Sequence, residues 1–181
     1  TLPSASGNIA ATQILSSTAV VDPAVTHSSL TIARPVAWAR SSISYSFELN
    51  APLKQTDKVD IRMPFFSFGV LSVPSTMGCG STTFTAGTSN PNTATATLRL
   101  TAGGADMDAA TRCEVTIGSG VTTSPIAQDA NLNTRTVALV LAQAKDATAA
   151  QITTSTAVVV PTPAFQQSVL TIDTPSTEAP T

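Results

Sequence analysis

Few side chains in this sequence are equipped for chemistry, and their spacing limits what they can do. Cys79 and Cys113 are the two cysteines and His27 is the sole histidine. No CxxC pair occurs, so the Cys and His clusters that hold zinc have no counterpart here. Oxidation is the chemistry left to the pair. One intradomain disulfide is the first expectation, ahead of two buried thiols or a bridge to another chain. Closing a loop of this size adds about 3–4 kcal/mol in the chain-entropy model, and a stable bridge belongs outside a reducing cytosol.

Catalytic constellations are thin. A Ser-His-acid relay must recruit His27, which lies in a segment that reads as a domain edge. Eleven acidic residues are present, but no spacing among them marks the carboxylate pair of a glycosidase. Asp106 and Asp108, in Asp106-Met107-Asp108 after Gly103-Gly104, are weak calcium candidates, as are Asp57 and Asp60. Calcium takes about 6 to 8 oxygens, and here two or three carboxylates lie near one another in sequence. No enzyme activity, cofactor or dedicated metal site is expected.

The aromatic residues point toward contact. Trp38, the single tryptophan, is either an exposed platform for a sugar or a neighbouring domain, or a plug over one end of a core. Phe65 and Phe66 are adjacent, and in a strand adjacent side chains face opposite ways. At most one belongs in the core, so Phe65, Phe66 and Trp38 are the candidates for a lateral contact surface.

Composition narrows the setting. Charged residues make up 11% of the chain, against roughly 25% in an average soluble protein. Hydroxyls supply the missing polarity, since 50 of the 181 residues are Ser or Thr. A net charge of -2 with scattered basic residues gives no footing for nucleic acid. No apolar run approaches the roughly 18 residues of a membrane helix, and Thr1-Leu2-Pro3 does not open a signal peptide.

The elements that must position these residues are strands. In Ser41-Ser42-Ile43-Ser44-Tyr45-Ser46-Phe47-Glu48-Leu49, apolar side chains fall on every second position. The same period recurs over residues 58–63, 94–100, 113–117 and 136–141, and strands with one wet face indicate antiparallel sheets. Turn signals separate them: Asn50-Ala51-Pro52, Gly78-Cys79-Gly80, Gly87 with Ser89-Asn90-Pro91-Asn92, Gly103-Gly104 and Gly118-Ser119-Gly120. The Ala-rich stretches 102–112 and 142–150 lack an apolar stripe and read as loops. An all-β, antiparallel sandwich follows.

The ends of the chain resemble each other. STAVVDPAVTHSSLTI (17–32) returns as STAVVVPTPAFQQSVLTI (155–172), and Gln13-Ile14 matches Gln151-Ile152 at the same offset. A period of about 140 residues is far beyond the roughly 20–50 of a solenoid coil and suits one whole domain. The expected organisation is therefore the tail of a preceding repeat over 1–27, a complete repeat over 28–160 with residues 151–160 as its last strand, and a linker with the start of the next repeat over 161–181.

Three stretches, SSISYSFELNAPLKQTDKVDIRMPFF (41–66), TATATLRLTAGG (93–104) and CEVTIGSGVTTSP (113–125), resemble the immunoglobulin-like repeats of very large secreted surface proteins of algae and related protists. Glycoproteins of flagellar hairs, or mastigonemes, are among them. The resemblance implies tandem immunoglobulin-like β-sandwiches, heavy glycosylation, an extracellular filament or surface coat, and partners that are other copies of the same repeat, with no catalytic residue to carry over. No Asn-x-Ser/Thr acceptor occurs, so sugar is expected on hydroxyls of the Pro-rich segments, with Thr162, Thr174, Ser176, Thr177 and Thr181 as candidates. An unmodified Thr-rich linker is the competing account. The alternative function is an adhesive or carbohydrate-binding module of a surface array.

Overall fold

Alternation over residues 41–49 becomes β2 (Arg40–Leu49), in which every second side chain is buried. Ile43, Tyr45, Phe47 and Leu49 are each at most 2% exposed, while the intervening Ser and Glu stay wetter. The computed structural model describes residues 22–128, 135–142 and 147–160. Over these the chain is all-β and contains no helix.

Two sheets share the core. The first contains β1 (Val25–Ile32), β2, β4 (Ser67–Phe68), β5 (Ser75–Met77), β8 (Cys113–Thr122) and β11 (Thr154–Ser155), in the order β11-β1-β2-β8-β4, with β5 also on β8. The second is β10-β9-β3-β7-β6, built from β3 (Lys58–Arg62), β6 (Thr82–Ser89), β7 (Thr97–Gly104), β9 (Thr136–Val140) and β10 (Ala147–Gln151). Inward residues of both sheets form one apolar cluster, the mark of a β-sandwich arrangement. Val59 and Ile61 from the second sheet are fully buried, each stabilising the fold by about 1.5–3 kcal/mol. Tyr45 and Phe47 stack at 5.5 Å, and Phe84 reaches across from the second sheet to meet Phe47 edge-on at 6.1 Å.

Several local expectations are corrected. Gly118-Ser119-Gly120 is not a turn but lies inside β8. Ser41 pairs with Val121 and Ile43 with Ile117, so β8 holds two more residues than β2 there and bulges. Gly120 has φ +89°, and a Cβ on it would sit 2.3 Å from the Val70 carbonyl oxygen. Gly87 and Ser89 likewise lie within a strand, β6, which pairs with β7 along its whole length. Residues 94–96 precede β7 in a turn closed by the Ala96 amide on the Thr93 carbonyl at 3.1 Å. β7 also runs past residue 102, to Gly104, before the chain loops away.

Residues 151–160 are not one continuous strand. β10 ends at Gln151, and the chain crosses to the first sheet and runs along β1 as β11. β1 begins at Val25, so His27 shares a strand with Ser28. β11 is parallel to β1, with Ser29 opposite Thr154 and Leu30 opposite Ser155, whereas every other strand pair is antiparallel among the described residues. Beyond β11, Val159 bridges Val36 in the same sense.

The single cystine joins Cys79, after β5, to Cys113, at the start of β8. Between them the chain leaves the first sheet, forms β6 and β7 of the second, and returns.

Candidate interaction surface

Trp38 is forced outward by a turn. The Ala39 amide closes it on the Val36 carbonyl at 3.1 Å. Thr123 braces it, its hydroxyl accepting from the Ala39 amide at 2.9 Å and donating to the Val36 carbonyl. Trp38 has φ +61° and is 71% exposed, so it does not plug the end of the core.

Phe65 is turned out by similar means. Its amide donates to the Thr93 carbonyl at 2.7 Å, the Phe66 amide folds back to Met63 at 3.2 Å, and Phe65 has φ +62°. Phe66 is fully buried and Phe65 half-buried, so one of the pair reaches the core, but the two are divided by a turn and not by the alternation of a strand. Trp38 and Phe65 come together across a shallow cleft of about 410 Å³ that Ser67, Asn92, Thr123 and Pro125 complete. A cleft lined by two aromatic residues together with hydroxyl- and amide-bearing side chains has the composition of a site for a sugar ring or an apolar neighbour.

Three of the four candidate acids are engaged elsewhere. Asp106 accepts from Lys54 Nζ at 2.7 Å and from the Gln55 amide at 3.1 Å. These bonds, that to Lys54 above all, hold its carboxyl below the usual range. Asp57 caps the Lys54 amide at 2.8 Å and the Ala142 amide at 2.7 Å, and Asp60 makes a two-pronged pair with Arg99. Asp106 and Asp108 are not joined by a third ligating side chain among the described residues. His27 accepts from Arg112 Nη2 at 2.6 Å, which occupies the ring nitrogen a proton relay would use. The hydroxyls Thr162, Thr174, Ser176, Thr177 and Thr181 lie outside the described residues.

Sequence reasoning missed the most buried charge. Arg135 is 1% exposed. Its Nε and Nη2 donate to Gln128 Oε1 at 3.3 and 2.9 Å, and its Nη1 to Ser155 Oγ and the Thr156 carbonyl. The guanidinium lies 5.7 Å from the Phe66 ring centre, within reach of a cation–π attraction. Burial pushes its pKa down to about 10, which leaves it charged at neutral pH. Gln128 in turn donates to the Pro64 carbonyl at 2.7 Å. One buried network thus ties the Pro64–Phe66 turn to the segment that follows β11. Its signal in the sequence is spacing, because Arg135 stands two residues before Val137 and four before Leu139 on the inward side of β9.

No protein-family model matches the chain, and no curated protein matches it in sequence. Among the described residues no helix is long and apolar enough to cross a membrane.

Proposed function

We propose that this chain is a structural repeat module of an extracellular filament, surface coat or flagellar-hair glycoprotein, built as immunoglobulin-like sandwiches in tandem. The observation that carries the proposal is the parallel pairing of β1 with the closing segment. At one end of the sandwich the Ala24 amide meets Asn50 Oδ1 at 2.6 Å. At the other end the Val159 amide meets the Pro35 carbonyl at 2.9 Å. Residues 24 and 159 therefore lie at opposite ends of β1, and each module adds at least the roughly 23 Å that this eight-residue strand spans at the usual rise of ~3.3 Å per residue. A hairpin-like return would instead fold successive modules back on one another. The Cys79–Cys113 bridge supports an oxidising compartment, and the hydroxyl-rich composition supports O-linked sugar on the Pro-rich segments.

Small-angle scattering of two copies joined through their own ends tests this. The expected maximum dimension is roughly twice that of one copy, and a folded-back pair no longer than one copy overturns the filament proposal.

The Trp38–Phe65 cleft favours a second proposal, an adhesive or carbohydrate-binding module. Titrating the single tryptophan's fluorescence with oligosaccharides separates the two. A saturable change lost in Phe65→Ala, which keeps the fluorophore, favours adhesion, and an unchanged spectrum favours the scaffold.

A further inference from the structure

Among the described residues, most strand edges of the sandwich are short or broken. β4 and β11 have two residues each and β5 has three, and the register of β10 shifts between Ala147 and Ala150. Short or irregular edges do not readily recruit another strand. β6 has neither protection. It runs for eight residues, TTFTAGTS, without a charge or a proline, and its register with β7 is unbroken.

Backbone bonds show which groups of β6 are free. The Ala102 amide donates to the Asp57 carbonyl at 2.9 Å and the Met63 amide to the Ala96 carbonyl at 2.8 Å, so even-numbered residues of the β7 stretch turn their backbone groups toward β3. The Ala105 amide reaches the Ser81 carbonyl at 3.3 Å, so odd-numbered ones turn toward β6. Bonded pairs alternate along an antiparallel ladder. With Thr85 opposite Thr101 and Gly87 opposite Arg99, β6 bonds β7 through Thr83, Thr85, Gly87 and Ser89. The amides and carbonyls of Phe84, Ala86 and Thr88 therefore point away from β7. Phe84 is buried, whereas Ala86 is half-buried and Thr88 exposed. Among the described residues, nothing bonds the outward backbone groups of Ala86 and Thr88.

We propose that β6 is a lateral docking edge whose partner is β6 of a second copy of this chain, antiparallel and centred on Gly87. The edge is complementary to itself. With Gly87 opposite Gly87, Ala86 faces Thr88 on both sides of a twofold axis, and each of those pairs exchanges two backbone bonds. Thr85 then faces Ser89, and both are exposed, which sets a hydroxyl pair across the seam. Gly87 leaves the axis clear, because even an added Cβ would meet open space. No like charges are brought together, since β6 carries none and Arg99, its neighbour opposite Gly87 in β7, is already paired with Asp60. The contact joins the second sheets of two copies side by side. It goes beyond the tandem reading, which concerns length along β1, and either can fail alone.

The test uses the full chain. Sedimentation of the native protein is expected to show reversible association toward twice the monomer mass as concentration rises. Gly87→Lys and Gly87→Glu each place like charges across the axis, and each is expected to weaken association by at least about tenfold. Mixing the two variants is expected to restore it, because opposite charges then face each other. Amide exchange on the native chain needs no variant: the Ala86 and Thr88 amides are expected to slow as concentration rises, while the amides of β5 do not. A native chain that stays monomeric overturns the proposal. So does a mixture that regains no association, or a dimer in which the Ala86 and Thr88 amides exchange as fast as in the monomer.

Discussion

Tyr45 carries a hydroxyl into an apolar core, where Ser28 Oγ meets it at 2.8 Å. Burial raises its pKa well above the ordinary value of 10.0, and the Ser28 bond only partly offsets the rise. A phenol whose folded pKa lies above its unfolded one stabilises the fold fully below pH 10, and the contribution is lost as pH climbs above that value. As the only tyrosine, it reports on itself. Phenolate absorbance is expected to appear together with unfolding in an alkaline titration, not before it. Tyr45→Phe is expected to flatten that dependence and cost about 1 kcal/mol at neutral pH, because Ser28 loses its partner. At this scale the sequence was legible where types were scarce: two cysteines left an intradomain bridge, two buried thiols or a bridge to another chain, and the first is what forms. Arg135 was hidden because its partners, Gln128, Ser155 and Thr156, are neutral and scattered, and a cation without a nearby acid in sequence reads as surface.

β8 shows what a strand can conceal. Its extra residues at Gly118-Ser119-Gly120 let Gly69 donate to the Gly120 carbonyl at 2.8 Å and Ser72 Oγ accept from the Gly118 amide at 2.9 Å, so the bulge shapes the loop that follows β4. Gly120→Ala is expected to destabilise the fold by about 1–3 kcal/mol, since the backbone has positive φ and the new methyl group meets a carbonyl oxygen. Urea unfolding measures it, and Gly87→Ala, where the added Cβ meets open space, is the control expected to change little. Strands with one wet face, β2, β3 and β9, were readable from period-two alternation. β6 was obscured by glycine and serine at an exposed edge, and β11 by its length of two residues and a partner more than a hundred positions earlier. Nothing local in Thr154-Ser155 announces a strand, because its order comes from β1.

For the whole molecule, the cystine fixes the excursion between sheets. Reduction, or Cys79→Ala with Cys113→Ala, is expected to lower the free energy of unfolding by about 3–4 kcal/mol, seen as a lower urea midpoint, while the overall dimensions of the folded state stay unchanged. The two-sheet architecture was legible in the sequence. The order of strands was not, because it depends on pairings between distant segments that composition does not encode. The parallel arrangement of β1 and the closing segment has a mechanical meaning. When the chain is pulled from residues 22 and 160, the force runs along both neighbours in opposite directions, across their shared bonds. The Thr156–Leu30, Ile32–Thr156 and Ala37–Val159 bonds must then slide and break together instead of opening one after another. The first contact to resist a stretch is therefore the one that completes the sandwich, and a module that gives way must give way all at once.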